Sequence, residues 1–425
     1  MSILIKNGYV LDPSSGFEGK RDIFIKRGII KEVAADISED AEQVIDAEGM
    51  YVMPGFIDLH VHLREPGYEY KETIATGSMA AARGGFTSIC PMPNTNPTID
   101  NHQMIEYLLL KAKKEASVNI LPIGAITKGQ QGHDLADIEG MAKAGAVALS
   151  EDGKSVMNTA LYLEGMKQAK AAGIPIFAHC EDKDLVQGGV MNDGTKSQEL
   201  NLPGISNAVE DVIAARDIIM AKEAGAQLHL CHCSTKDSVT FVKLAKEAGL
   251  PVTGEVCPHH FTLSDEDIPK DDSNYKMNPP LRSKADVQAL KEALRDNIMD
   301  VIATDHAPHS EAEKEKSMLE SPFGIVGLET AFALTMSELV STGYLTPMQM
   351  VEKLSTNPAR ILGIDKGSLA VGKAADITIA NPNEEYSIDV HEFASKGKNS
   401  PFHGRKVIGR VKATIVAGKI VYEDL

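Results

Sequence analysis

From Gly55 to Gly363 the chain alternates between short apolar runs and longer stretches in which apolar side chains recur every three or four positions. The runs at 56–59, 87–90, 119–124, 146–149, 174–178, 227–231, 251–256 and 301–304 have the length and apolar continuity of strands covered on both faces. The stretches at 71–83, 102–115, 160–172, 209–224, 236–248 and 284–296 carry the helical period, and several end at glycine. Eight strand–helix units within about 300 residues predict an α/β fold, a closed parallel (β/α)8 barrel of the TIM type. A doubly wound open sheet is the rival, but no glycine-rich phosphate turn follows the first strand.

The two ends of the chain have a different texture. The segments 2–11, 22–34 and 42–52 mix Ile and Val with turn signals at Asn7-Gly8, Arg27-Gly28 and Glu48-Gly49, and the same pattern returns at 375–380, 407–411 and 413–421. Chain termini commonly lie close together, so 1–52 and 365–425 are expected to build one small β-sandwich domain around a catalytic barrel at 53–364.

Chemistry enters at the ends of the apolar runs. His60 and His62 stand two positions apart, which places both imidazoles on one face of a strand. Later runs lead to Glu151-Asp152, His179, His232 and Asp305. Histidines and aspartates just past separate strands are what a barrel with one ligand-bearing rim produces. Four histidines and two carboxylates exceed the need of one four-coordinate zinc. Two ions about 3.5–4 Å apart need a bridging anion, and Asp152 can offer one oxygen to each. His60, His62 and Asp305 are then expected around one ion and His179 and His232 around the other, with a bridging hydroxide as nucleophile and Asp305 as its proton acceptor.

Neighbouring residues have blander readings. Glu151 is expected at the surface or behind the ligands, and His229, His259 and His260 as packed or orienting groups. Lys154 lies beyond the fourth strand, a worse place for a bridging carbamate than Asp152. Cys231 and Cys233 read as small buried side chains, not thiolate ligands. Arg64 and Asn94 sit at the rim of the first two strands, where a guanidinium beside an amide suits a substrate carboxylate; Arg64 pairing with Glu65 or Glu69 is the alternative. Asn278 and His309 fall on the last rim loops, and the turn around Phe323 and Gly324 offers backbone groups to a flat polar ring. The charged stretch 311–316 is expected to be mobile, covering the pocket or simply solvated.

A formal charge of −17 without a Lys/Arg block argues against nucleic acid or an anionic membrane as partner, though not against a small anionic substrate. No basic stretch followed by an apolar core opens the chain, and no apolar run is long enough for a membrane span. Five cysteines, an odd number, suit a reducing compartment, so cytoplasmic residence is expected.

Four segments carry a family resemblance: Pro54-Gly55-Phe56-Ile57-Asp58-Leu59-His60-Val61-His62-Leu63-Arg64-Glu65-Pro66-Gly67, Pro91-Met92-Pro93-Asn94-Thr95, Ala303-Thr304-Asp305-His306-Ala307-Pro308-His309 and Gly372-Lys373-Ala374-Ala375-Asp376. With them the whole chain resembles the amidohydrolase superfamily and, within it, the dihydroorotases of the long, bacterial class I type. The resemblance implies reversible cyclisation of N-carbamoyl-L-aspartate to L-dihydroorotate and water, the third step of de novo pyrimidine synthesis. It implies two zinc ions per subunit on His60, His62, Asp152, His179, His232 and Asp305, with Asp152 where many members carry a carbamylated lysine. It further implies Asp305 as proton carrier, and His62, Arg64, Asn94, Asn278, His309 and the backbone at Phe323 and Gly324 as substrate contacts. A homodimer and, in some relatives, association with aspartate transcarbamoylase complete the picture. The alternatives are a dihydropyrimidinase, hydantoinase or allantoinase, for which Arg64 has less use, and a non-catalytic partner of aspartate transcarbamoylase, which would be expected to lose ligands retained here.

Overall fold

The computed structural model describes residues 2–425, so residue 1 of the expected terminal domain lies outside the described residues. Phe56–Val61, Phe86–Pro91 and Asn119–Ile120 pair in parallel. Ile123–Ala125, Ala148–Ser150, Ile176–Ala178, Leu228–Leu230, Val252–Val256 and Val301–Ile302 continue the parallel order. The expected run at 119–124 breaks at Pro122, which has no N–H to give a ladder. Leu121 N–H donates to the Ile89 carbonyl at 2.9 Å, and on the opposite side His62 N–H reaches the His306 carbonyl at 2.8 Å beside a parallel bridge from Val61 to His306. These joints close the strands into the expected barrel.

The six expected helices are present as Ile74–Arg83, His102–Glu115, Thr159–Ala172, Ala208–Ala224, Lys236–Glu247 and Lys284–Arg295. The first starts three residues late because Thr73 and Thr76 form a reciprocal capping box, each hydroxyl accepting the other's backbone N–H at 3.1 Å. Lys71 is thereby left in the rim loop. The helix Ile138–Ala144 and the helical series Ala331–Thr335, Met336–Val340, Pro347–Val351, Glu352–Thr356 and Asn357–Leu362 were not legible from period. In the latter, Phe332, Leu334, Leu339, Met350 and Leu354 are buried on several sides, so no polar face marks the turns.

Both chain ends enter one mixed eight-stranded sheet, ordered Lys419–Glu423, Lys406–Val416, Ile377–Ser387, Tyr51–Pro54, Ser2–Asp12, Phe17–Lys26 and Ile29–Ala34, with Gln43–Asp46 also on Ser2–Asp12. Ile377–Ser387 lies antiparallel to Tyr51–Pro54, which joins the ends directly. Asn7-Gly8 is not the expected turn but a bulge inside Ser2–Asp12, where the pairing register shifts. Asn7 has φ 62°, and its N–H donates to Asp22 at 2.8 Å; a bulge asks for the same left-handed residue a turn does. Ile3, Ile5, Ile23, Ile25, Val52, Ile377 and Ile415 form the core of this sheet. Ile57, Leu59, Ile123, Phe177, Val301 and Ala303 cluster among the barrel strands.

Candidate metal and substrate site

The strand ends bring all six predicted His and Asp residues together. His60 Nε2 lies 3.2 Å from Asp152 Oδ1 and 3.4 Å from Asp305 Oδ1; His62 Nε2 lies 3.1 Å from Asp305 Oδ1 and 3.5 Å from Asp152 Oδ2. His179 Nδ1 is 3.5 Å from Asp152 Oδ1 and 2.8 Å from His232 Nε2. Each of these side chains is buried. Two sets of ligand atoms, from His60, His62 and Asp305 and from His60, Asp152 and His232, lie within 4.8 Å of one another. His60 Nε2 and His232 Nδ1 are buried without a hydrogen-bond partner. Facing ring nitrogens, shared carboxylates and an orphaned Nε2 are the donor set of divalent cations, so the residues fit the metal that the sequence implies.

The protonation pattern shows the same demand for positive charge. Burial alone would raise the Asp152 carboxyl, but His60, His179 and His62 hold it well below the usual range, and Asp305 is lowered in the same way by His60 and His62. Against its own burial, His179 is raised to about 10 by Asp152 and Glu181, whereas burial and the neighbouring His179 and His60 push His232 down to about 3. Protons on some rings stand where cation charge is called for. Arg64, His232 and Asp305 also adopt left-handed backbone, with φ of 61°, 34° and 47°, a conformation unfavourable for such residues.

Glu255, which the sequence reading missed, holds the cluster from behind. Its carboxylate accepts from His60 Nδ1 at 2.9 Å, His229 Nε2 at 3.0 Å and His232 N–H at 3.1 Å. With Nδ1 held as the donor to Glu255, Nε2 is the ring nitrogen that faces Asp152 and Asp305. Burial opposes its charge, yet His229 and His60 bring Glu255 down to about 2. The available signal was a carboxylate inside an otherwise strand-like run. Of the two places expected for Glu151, it takes the one behind the ligands: it is buried, accepting the N–H groups of Ile126 and Thr127 at 3.2 and 3.0 Å and the Thr127 hydroxyl. His260 Nε2 donates to the Pro279 carbonyl at 2.9 Å, and Lys154 Nζ donates to the Gln130 carbonyl. All five cysteines are buried and free.

Above the cluster lies a cavity of about 160 Å³ lined by His62, Arg64, Asn94, Asn278, Phe323 and Gly324 among others. Asn94 Oδ1 accepts from His62 Nδ1 at 3.0 Å while its Nδ2 donates to Asp152 Oδ2 at 3.1 Å, so one amide orients two of the predicted ligands. Arg64 Nε donates to the Pro308 carbonyl at 3.2 Å. Glu65 is taken by Lys111 and Ile74 N–H, and Glu69 by Gly67 N–H, so neither holds Arg64. Asn278 Nδ2 donates to Glu181 Oε2, which also meets His179 Nε2, both at 2.7 Å. His309 backs the cavity through a 2.8 Å contact from Nε2 to the Phe323 carbonyl. Gly324, at φ 129°, admits no side chain, since a Cβ would stand 2.6 Å from Ala307 Cβ.

The stretch 311–316, expected to be mobile and either to cover the pocket or to be solvated, contains the short helix Glu311–Lys314. Lys314 is buried, its ammonium donating to the carbonyls of Pro322 at 3.1 Å and Gly324 at 3.0 Å. A charge run reads as solvent-facing only until one of its cations finds carbonyls to fill.

Residues 49–238 match the Dihydro-orotase-like family and residues 285–422 the Amidohydrolase family. A dihydroorotase from Pelotomaculum thermopropionicum is 50% identical over 424 residues, covering 100% of this chain and 99% of that protein. A dihydroorotase from a Geobacillus species is 49% identical with the same coverage. Among solved structures, an L-hydantoinase (dihydropyrimidinase) from Arthrobacter aurescens superposes with a TM-score of 0.89 at 27% identity, covering 99% of this chain and 96% of its own. A dihydropyrimidinase from Brevibacillus agri gives 0.87 at 26% identity, covering 100% and 95%. With half of its residues shared along its full length, this chain belongs to the dihydroorotase family of the amidohydrolase superfamily.

Proposed function

We propose that this protein is an enzyme of pyrimidine synthesis that interconverts N-carbamoyl-L-aspartate and L-dihydroorotate. The observation that carries the substrate choice is the half-buried Arg64 guanidinium facing a cavity directly above the His/Asp cluster. A ring or open chain bearing a carboxylate gains a charge-assisted hydrogen bond there, and an uncarboxylated ring does not. The full-length likeness to proteins named dihydroorotase supports the same choice.

In this reading His60, His62 and Asp305 would hold one zinc ion and His179 and His232 the other, with Asp152 a ligand common to both. Bound divalent ions supply Lewis acidity, lowering the pKa of water towards neutrality and polarising a carbonyl. Asp305 moves the proton between water and the ring nitrogen, which gains a second hydrogen to leave as the carbamoyl NH2 on ring opening and loses it on closure. Arg64 and Asn94 hold the substrate carboxylate, with His309 beside Arg64, while Asn278 and the backbone at Phe323 and Gly324 meet the ring's amide edge. His62 borders both metal and substrate. A cytoplasmic homodimer is part of the proposal, and aspartate transcarbamoylase is the protein partner to test.

The test is ring opening of L-dihydroorotate by zinc-loaded protein, with dihydrouracil, hydantoin and allantoin alongside. Selective turnover of dihydroorotate that a chelator abolishes is expected. Preference for an uncarboxylated ring would overturn the substrate assignment, and inertness towards all four would overturn the enzymatic one.

A further inference from the structure

Lys71 precedes the capping box of Ile74–Arg83 and is absent from the cavity lining, yet its ammonium is poised against His309, the ring beside Arg64. Its Nζ lies 3.2 Å from His309 Nδ1 and 2.8 Å from Glu313 Oε1. An ammonium only donates, so Nδ1 must present its lone pair. The Phe323 carbonyl, 2.8 Å from Nε2, only accepts, so Nε2 must carry the proton. These two contacts select one neutral tautomer. Burial, then the cations Arg64 and Lys71, hold His309 well below its ordinary basicity, in keeping with a neutral ring.

The tautomer decides what Arg64 is free to do. Arg64 Nη2 lies 3.3 Å from His309 Nε2. With Nε2 protonated, two donors face each other and no hydrogen bond forms between them, so the guanidinium keeps its N–H groups for a ligand. In the opposite tautomer Nε2 would accept from Arg64, tying the guanidinium to the ring and leaving the Phe323 carbonyl without its donor. Lys71 is itself fixed from the far side. Glu313 accepts from Ser310 N–H at 3.1 Å and Ser310 Oγ at 2.8 Å, and the next residue, Lys314, anchors the segment to the Pro322 and Gly324 carbonyls.

We propose that Lys71, braced by Glu313, is a positioning residue for substrate specificity: it locks His309 as the Nε2–H tautomer and so reserves Arg64 for the carboxylate of a carboxylated ring. The inference rests on the dihydroorotase reading of the site. Lys71 does not touch the reacting atoms, so its loss weakens binding of the carboxylated ligand and spares the chemical step.

The test compares Lys71→Met, Lys71→Arg and Glu313→Gln with the wild-type zinc enzyme, after equal metal content has been established. Lys71→Met is expected to raise KM for L-dihydroorotate about tenfold with kcat within about twofold, the signature of a lost binding interaction. Inhibition by orotate should weaken by the same factor while inhibition by uracil, the same ring without the carboxylate, stays unchanged. Lys71→Arg, which still donates to Nδ1, should recover most of the loss, and Glu313→Gln should show a smaller one. Unchanged KM in Lys71→Met, equal weakening of orotate and uracil, or a fall in kcat alone would overturn the proposal. A wild-type enzyme inert towards dihydroorotate would instead sink the reading on which it rests, so the two failures are told apart.

Discussion

Two histidine-rich clusters lie behind the same rim and differ in one ingredient. The first gathers His60, His62, His179 and His232 around Asp152 and Asp305. The second packs His259 against His260, ring centroids 4.2 Å apart, with Cys257 and no carboxylate among its ligand atoms. All these histidines are buried, yet His60 and His179 gain proton affinity where the second cluster loses it, while His232, crowded by those two rings, is lowered. Burial and the neighbouring His260 drive His259 well below its ordinary value, and burial lowers His260. Burial opposes His60 as well, but Asp152 and Asp305 raise it well above. Burial alone makes histidine a weak base; two carboxylates reverse the sign and create a place for cations. Glu329 is the converse case, a buried carboxyl with no histidine beside it. Burial raises it to about 7, against the N–H groups of Ala394 and Ser395 and the nearby Arg83.

Removing a carboxylate from the first cluster should break the comparison most severely. Asp305→Asn is expected to lower kcat for dihydroorotate by about a thousandfold, within the range of a lost general acid/base, with a much smaller change in KM. Comparable turnover would reject Asp305 as proton carrier. Arg64→Met should raise KM by roughly thirtyfold, the worth of a charge-assisted hydrogen bond of about 2 kcal/mol, with zinc content intact. Steady-state kinetics beside metal analysis checks both halves, and an unchanged KM contradicts it.

Glu255→Gln strikes the carboxylate behind the first cluster and should weaken zinc binding by about tenfold or more, read by competition with a chromophoric chelator. Unaltered zinc affinity would show that His60 needs no orientation from Glu255. His260→Leu tests the second cluster, where it should cost about 1–2 kcal/mol in denaturant unfolding by stranding the Pro279 carbonyl. Its zinc content should match the wild type; a loss of metal there would erase the distinction between the clusters.

The smallest effect concerns Glu329. Its folded pKa of about 7 lies above the unfolded value near 4.3, so the folded state holds more protons between the two. Its stabilising contribution is complete below the unfolded value and is lost as pH rises to about 7. Glu329→Gln should flatten unfolding free energy against pH across that window, and an identical slope in both proteins would contradict the assignment.

The contrast also marks what the sequence could reveal. His60, His62, Asp152, His179, His232 and Asp305 were legible because each follows an apolar run, and parallel strands deliver their ends to one rim. Glu255 was not, because a single carboxylate in a strand-like run gives no hint that two histidines meet it across the barrel. Lys71 read as the start of a helix and Glu313 as part of a charged stretch, since only the folded chain brings residues 242 positions apart within 2.8 Å. The barrel helices showed their period because one face meets water, whereas Ala331–Thr335 and its successors are covered on several sides and carry no such pattern. Asn7-Gly8 gave the correct backbone and the wrong element, because a bulge and a hairpin turn ask for the same left-handed residue.

The most direct test of the central claim, that the carboxylate-bearing cluster holds two ions and thereby makes the chain a dihydroorotase, is a titration of chelator-stripped protein with zinc. Dihydroorotate turnover would be followed at each addition. The stripped protein is expected to be inactive, with activity rising on zinc addition and levelling off at two zinc ions per chain. Full activity without metal, or a plateau at two ions with dihydrouracil turned over in preference to dihydroorotate, would contradict it.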